Sequence, residues 1–317
     1  MNKIAYNDYL SHLSELTYHQ KQKLIRTLEI GSNNQSLSLI ENQFSQRDAC
    51  PHCFSKHYSR WGKSCGLQRY RCKECCKTFN ALTNTGLARL RHREKWLEHS
   101  QSLAEGDTIR QAAQRCDVNA TTAFRWRHRF LKQPTQNKPR QMLGITEADE
   151  VFFAESSKGN KALQRNARKR GSAKRRTRDE RIPVLMVRDR TGNVTEFILP
   201  NAEKEEITPC LQPLMNSDVV LCTDGNSIYH EFAKAENIAH KRLVGTSNIR
   251  VIDNIFHIQN LNAYVSRLRQ WLIHFRGVST KYLSHYLGWR RLIENAREKL
   301  NEEFCLKAAL AANLTNS

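Results

Sequence analysis

The chain lacks any stretch approaching the roughly 20 apolar residues that a bilayer-spanning helix requires. Its longest strongly apolar run, residues 182–187, has the length of a strand. The first residues, Met1-Asn2-Lys3-Ile4-Ala5-Tyr6-Asn7-Asp8, hold no secretory h-region. Ten cysteines in 317 residues are too sparse for a disulfide scaffold. These absences lead to the expectation of a cytoplasmic protein with reduced thiols and no membrane partner. Acid is also in short supply: 31 Asp and Glu stand against 51 Lys and Arg, a net charge of +20, with a pI near 9.7. A field of that size attracts polyanions and repels itself without one. Nucleic acid is therefore the first candidate partner and an anionic membrane surface the second. Apolar residues make up only 39%, which still suffices for packed cores and argues against wholesale disorder.

What is present divides into segments, with no internal repeat. Residues 1–45 carry a helical pattern (Tyr9, Leu10, Leu13, Leu16, Leu24, Leu28) and read as a helical leader. Residues 46–82 are rich in Cys, with aromatic and basic residues interleaved. Residues 88–132 place Trp96, Leu97, Leu103, Ile109, Ala112, Ala113, Phe124 and Trp126 at helical spacing. Residues 133–142, with Pro134, Pro139 and few apolar anchors, read as a linker. From 143 to 300 the period shifts, predicting strands at 145–153, 183–188, 194–199 and 219–222 and helices at 202–215 and 256–275. Asp189-Arg190-Thr191-Gly192-Asn193 is a turn that joins the second and third strands into a hairpin. Residues 301–317 read as a C-terminal tail. Between the first two strands lies a basic stretch holding Arg165, Arg168, Lys169, Arg170, Lys174, Arg175, Arg176 and Arg178. It reads equally as a solvated loop and as a phosphate-contacting one.

Cys50-Pro51-His52-Cys53 and Cys72-Lys73-Glu74-Cys75 are two Cys-x-x-Cys knuckles separated by 18 residues, a spacing that predicts a four-thiolate zinc site. Each knuckle presents two soft ligands from one tight turn, and zinc takes four of them tetrahedrally. Cys65 and Cys76 lie close enough to leave the fourth ligand ambiguous. Such a closed site is structural: it supplies folding free energy to a segment too small to fold on its own core.

Residues 108–116 and 121–130, joined by Asp117-Val118-Asn119-Ala120, predict a helix-turn-helix with Thr121 as the cap of the second helix. Ala112 and Ala113 allow close packing and Val118 plugs the corner. The second helix offers Arg125, Arg127, His128 and Arg129, donors suited to phosphates or base edges.

Two carboxylates stand out by position. Asp149 lies within the first predicted strand, and Asp224 follows the apolar strand 219–222 and precedes Gly225. Paired strand-borne carboxylates are what two-metal phosphoryl transfer requires. Glu147, Glu150 and Glu155 crowd Asp149, and spacing does not choose among them. The order of ribbon, helix pair, and then strand, hairpin, helix, strand and helix resembles the ISXO-type insertion-sequence transposases over about residues 50–292. Tyr70-Arg71-Cys72, Thr121-Thr122-Ala123-Phe124-Arg125-Trp126-Arg127-His128, Ala148-Asp149-Glu150 and Cys222-Thr223-Asp224-Gly225, with Tyr229 downstream, carry the likeness. So do Val187-Arg188-Asp189-Arg190-Thr191-Gly192, in which Asp189 reads as a turn residue, and the segment from Phe275 to Leu283.

The resemblance implies a multidomain chain: a zinc ribbon and helix-turn-helix, followed by an α/β RNase H-like fold with a mixed sheet. It implies a DDE-type enzyme of a bacterial insertion sequence, acting at the nucleoid as a homo-oligomer on terminal inverted repeats and target DNA. Two Mg2+ ions would be held by Asp149, Asp224 and Asn262, the last standing where the family has Glu or Asn. Arg269, two helical turns on, stands where the family has Lys; it keeps the charge with a different reach and geometry. His257 can lie beneath that helix or at the site. The alternative is a catalytically inactive, transposase-derived DNA-binding protein.

Overall fold

The computed structural model describes residues 11–45, 49–160, 162, 181–243 and 251–311. The basic stretch from Arg165 to Arg178, and Tyr9 and Leu10 of the leader, fall outside the described residues. The chain forms two compact units, Met1–Arg127 with Asn301–Ser317, and His128–Leu300.

The first unit opens with helix α1 (Tyr18–Ser45). Its carboxyl-terminal part is apolar on one side, and Ile40 and Phe44 are buried. The antiparallel ribbon β1 (Tyr58–Ser64), β2 (Leu67–Cys72) and β3 (Thr78–Asn80) follows. Strands this short cannot fill a core from their own faces. Phe44 supplies what is missing, stacking on Tyr70 at 4.8 Å and packing against Tyr58 and Phe79. The leader thus has a role that its sequence did not disclose: it covers the ribbon.

Helices α2 (Trp96–Ala104), α3 (Ile109–Arg115) and α4 (Ala120–Phe130) follow, the last two forming the expected helix-turn-helix. Thr108 and Gln111 close a capping box on α3. The cap of α4 is Asn119, whose Oδ1 accepts the Thr121 N–H at 2.9 Å. Thr121, expected to cap, is one residue inside the helix. Ala112, Ala113 and Ala123 pack where α3 and α4 cross, with Val118 against them.

In the second unit, residues 132–136 are no free linker but helix α5 (Lys132–Gln136). It docks closely enough that a Cβ on Gly288 would lie 2.7 Å from the Thr135 Cα. Buried Arg291, paired with buried Glu196, donates to the carbonyls of Pro134 (2.6 Å) and Thr135 (3.1 Å). Further along, the buried Met142 donates its N–H to the Leu214 carbonyl at 2.8 Å. A segment tied at both ends in this way is ordered by partners beyond its own sequence window.

A five-stranded mixed sheet follows, built from β4 (Ile145–Ala154), β5 (Arg181–Asp189), β6 (Val194–Ile198), β7 (Val220–Thr223) and β8 (Ala239–Arg242). Its order is β6-β5-β4-β7-β8. β4, β5 and β6 form an antiparallel meander, whereas β7 and β8 run parallel to β4. Alternation along β4 divides the core. Ala148 faces a cluster that includes Ile207 of α6 (Lys204–Leu211) and Tyr229 and Phe232 of α7 (Ser227–Ala235). Val151 faces one with Leu261, Tyr264 and Leu268 of α8 (Gln259–His274) and Leu283 and Leu287 of α9 (Leu283–Ala296). Helices therefore cover both faces of the sheet.

Beyond Leu300 the chain returns to the first unit. The expected tail contains α10 (Glu302–Leu310), which buries Cys305, Leu306, Ala309 and Leu310 against α2 and α1. No helix among the described residues is long and apolar enough to cross a membrane.

Candidate functional site

The ribbon places the thiol sulfurs of Cys50, Cys53, Cys72 and Cys75 within 4.8 Å of one another. Cys50 and Cys75 approach to 3.7 Å, and Cys53 and Cys72 to 3.5 Å. Four sulfurs about 2.3 Å from a tetrahedral zinc lie about 3.8 Å apart, so the donor set fits that ion. Cys65 and Cys76 are exposed and outside the group. The Cys75 backbone N–H, with help from that of Glu74 and the Cys53 thiol, lowers the Cys72 thiol to about 6. At neutral pH that favours the thiolate a metal needs.

On the recognition helix α4 the four expected donors part ways. Arg125 is exposed and Arg129 half-buried. Arg127 is fully buried and donates to the Asp107 carbonyl at 2.7 Å. It is a strut within the first unit and not a surface donor. Nearby His99 is buried edge-on to Trp126 and held down to about 3, by burial first and the Arg127 charge second. His128 stacks on Tyr282 at 4.0 Å and meets His285 at 2.9 Å, so its ring is engaged in packing. The spacing of basic residues along a helix gives their charge and not their direction; Arg127 and His128 lie on the inner side.

In the second unit the catalytic expectation falls where β4 and β7 part. Ile145, Thr146 and Glu147 pair in parallel register with Val220, Leu221 and Cys222. The same offset carried two residues on sets Asp224 opposite Asp149, just past the end of β7. Burial, and then the charge of Asp224, push the Asp149 carboxyl up to about 6, while Arg269 on α8 pulls it back. The structure thus brings Asp149, Asp224 and Arg269 together. Asp224 Oδ1 accepts the Asn226 N–H at 3.0 Å, and Asn226 in turn caps α7.

Because β4 outruns β7, its far edge is free. Glu150, Phe152, Phe153, Ala154, Arg181 and Arg269 line an open cleft of about 410 Å³ there. Burial raises Glu150. The Tyr229 hydroxyl lies near it without closing a well-formed hydrogen bond, and the Asn226 amide reaches its Oε1 at 3.5 Å. Arg181, the last residue of the basic stretch that the sequence sets between the first two strands, is the first residue of β5 and lines the cleft.

Glu147 parts from Asp149 although both lie on the same side of β4. It is 1% exposed, its Oε2 accepts the Leu261 N–H at 2.7 Å, and its Oε1 pairs with Arg190 at 3.2 Å. His257 is 3.6 Å from the same Oε1 and accepts the Gln259 N–H at 3.2 Å, placing it beneath the start of α8. Asn262 is exposed one residue past Leu261, two turns before Arg269; among the described residues it makes no side-chain hydrogen bond. Asp189 is buried in its turn, accepting from Thr191, Gly192 and Asn193.

Residues 141–290 match the ISXO2-like transposase domain, and residues 87–135 a homeodomain-like domain. An uncharacterized protein in transposable element ISH50 of Halobacterium salinarum is 27% identical over 272 residues, 84% of this chain and 91% of that one. Two solved structures overlap at 12% identity. The Mos1 transposase paired-end complex with left transposon end covers 68% of this chain and 79% of its own, with a TM-score of 0.23. A pre-cleavage Mos1 transpososome covers 66% and 77%, with a TM-score of 0.21. Overlaps that loose carry no weight in the argument. The chain is thus similar to a homeodomain-like domain over residues 87–135 and to the ISXO2-like transposase domain over residues 141–290.

Proposed function

We propose that the protein cuts the ends of an insertion sequence and joins them to target DNA, using a DDE-type site on an RNase H-like core. The observation that carries this reading is the register of Asp224 opposite Asp149 at the point where two parallel strands separate. The strand order and the helices on both faces support the core assignment. The donor set fits hard divalent cations, being two carboxylates, one strained by the other's charge, with the amide of Asn262 on the neighbouring helix. Bound there, Mg2+ would supply Lewis-acid activation of water and then of the freed 3′-hydroxyl.

The chain's own groups do the rest. Asp149 and Asp224 fix the negative donors at the strand ends, and Arg269 and Arg181 offer paired guanidinium donors to phosphate in the cleft. On α4, Arg125 and Arg129 face the terminal repeat. The exposed ribbon strand β1, with Arg60, Trp61 and Lys63, adds phosphate contacts. Two ends must be held at once, so the working form is a homo-oligomer on DNA.

The test is Mg2+-dependent cleavage and strand transfer with labelled end DNA and plasmid, comparing wild type, Asp149→Ala and Asp224→Ala. Wild type cuts and joins, and both variants bind without cutting. Tight end binding with no cutting in Mg2+ or Mn2+ overturns the catalytic reading and leaves a DNA-binding protein. Cutting without joining makes it a nuclease.

A further inference from the structure

The helix that carries Asn262 and Arg269 is held at both ends by opposite charges from one strand and its continuation. At the amino end of α8, Glu147 of β4 accepts the Leu261 N–H at 2.7 Å. Its other oxygen pairs with Arg190 at 3.2 Å, and Arg190 itself donates to the Ile255 carbonyl at 3.0 Å and reaches His257 at 3.0 Å. At the carboxyl end, four residues beyond the end of β4, the Lys158 ammonium donates to the carbonyls of Phe275 (3.2 Å), Arg276 (3.1 Å) and Gly277 (2.8 Å). Beside it, Ser156 and Thr280 exchange two hydrogen bonds of 2.8 Å. A carboxylate on the first N–H groups of a helix complements its dipole, and the ammonium holds the other end by the capping carbonyl of Phe275 and the two carbonyls that follow it. Asp149 lies between the two clamps along the chain, on the side of β4 that α8 covers.

We propose that Glu147 and Lys158 are positioning residues that lock α8 to β4 and so fix Asn262 and Arg269 relative to Asp149. The proposal rests on the catalytic reading above for its effect on rate, but the clamp itself is independent of it. Glu147 touches no reacting atom. It is 1% exposed, engaged on both oxygens, and its neighbour in contact, Leu261, directly precedes Asn262. A helix loosened at either end would let the third ligand and the phosphate clamp wander, and a misplacement of about 1 Å costs on the order of 100-fold in rate.

The experiment uses the full chain with its zinc and compares Glu147→Ala, Lys158→Met and Lys158→Arg. Two readouts are taken: single-turnover cleavage of end DNA, and hydrogen exchange of the amides of residues 259–275. The expected result is a cleavage rate lowered about 10- to 100-fold in Glu147→Ala and Lys158→Met, with the Kd for end DNA within about twofold of wild type. Exchange in α8 speeds up in both, and Lys158→Arg, which can still donate to the carbonyls, restores both readouts. Unchanged α8 exchange and rate in both losses overturns the proposal, as does a loss of DNA affinity that matches the loss of rate. Where Glu147→Ala fails to fold, the exposed Lys158 pair decides alone. If wild type cuts nothing, the catalytic reading fails, and the exchange data still uphold or overturn the clamp.

Discussion

The two units spend their polar groups differently. In the first, polar groups are closed on themselves: four sulfurs lie within 4.8 Å of one another, Arg127 is buried on a carbonyl, and His99 is held neutral. In the second, Asp149 and Asp224 oppose one another at a strand end, and burial adds to their conflict. A region that must keep one shape satisfies its donors internally. A region proposed to accept a cation and a phosphodiester leaves its acceptors strained. The contrast predicts that removing polar groups from the first unit costs stability, whereas removing them from the proposed catalytic pair costs activity and adds stability.

The largest effect falls on the ribbon. A structural zinc contributes about 10–16 kcal/mol to segments of this kind. Chelation, or Cys72→Ser, should therefore unfold residues 49–80 and lower end-DNA affinity at least about 100-fold. Limited proteolysis checks this: cuts confined to the ribbon, with the second unit resistant, sustain the contrast, and uniform digestion breaks it.

Next comes the pair on α4. Arg127→Ala should destabilise the first unit by about 2–4 kcal/mol, since it removes a fully buried, hydrogen-bonded charge. Arg125→Ala should leave the melting point in place and reduce the salt slope of DNA binding by about 1. Equal melting points for the two variants would refute the inward placement of Arg127.

Acid should act in opposite directions on the two units. Native His99 titrates near 3, against about 6.5 when unfolded. The unfolded chain therefore takes up a proton below about pH 6.5 that the native chain refuses, and stability is lost as pH falls. The loss is about 2 kcal/mol by pH 5, read from melts of the first unit at pH 7.5 and 5. Asp149 has the reverse sign. Its native value near 6 lies above the ordinary 3.8, so its charge costs stability above about pH 6, and the cost fades on acidification. In metal-free protein, Asp149→Asn should be the more stable form by about 1–2 kcal/mol at pH 8, after allowance for partial exposure, and no more stable at pH 3.5. This is the smallest expected effect and the sharpest, because a destabilised Asp149→Asn at pH 8 would remove the strain on which the comparison rests.

Part of this was legible in the sequence. Knuckle spacing pointed to the sulfurs that come together, and alternation with turn chemistry gave the hairpin and the place of Asp189. Other parts depended on direction and partners, which spacing does not carry. Glu147 and Asp149 are both acids on one side of a strand. They separate only because Glu147 lies under the start of α8 while Asp149 lies where β7 ends. Arg127 read as a surface donor because the turn of α4 toward the core is set by α2 and the Asp107 carbonyl. Pro134 and the polar residues beside it read as a tether, yet Gly288 and Arg291, more than 150 residues downstream, dock that segment as α5.

The return of α10 to the first unit has a consequence for how the chain comes off the ribosome. The first unit gains α10 only after residues 128–300 have been made. A message broken or a chain clipped before residue 302 yields a recognition helix whose unit lacks the surface of Leu306 and Leu310 that α2 and α1 pack against. Completion of the first unit is thereby tied to synthesis of the second within one translation product.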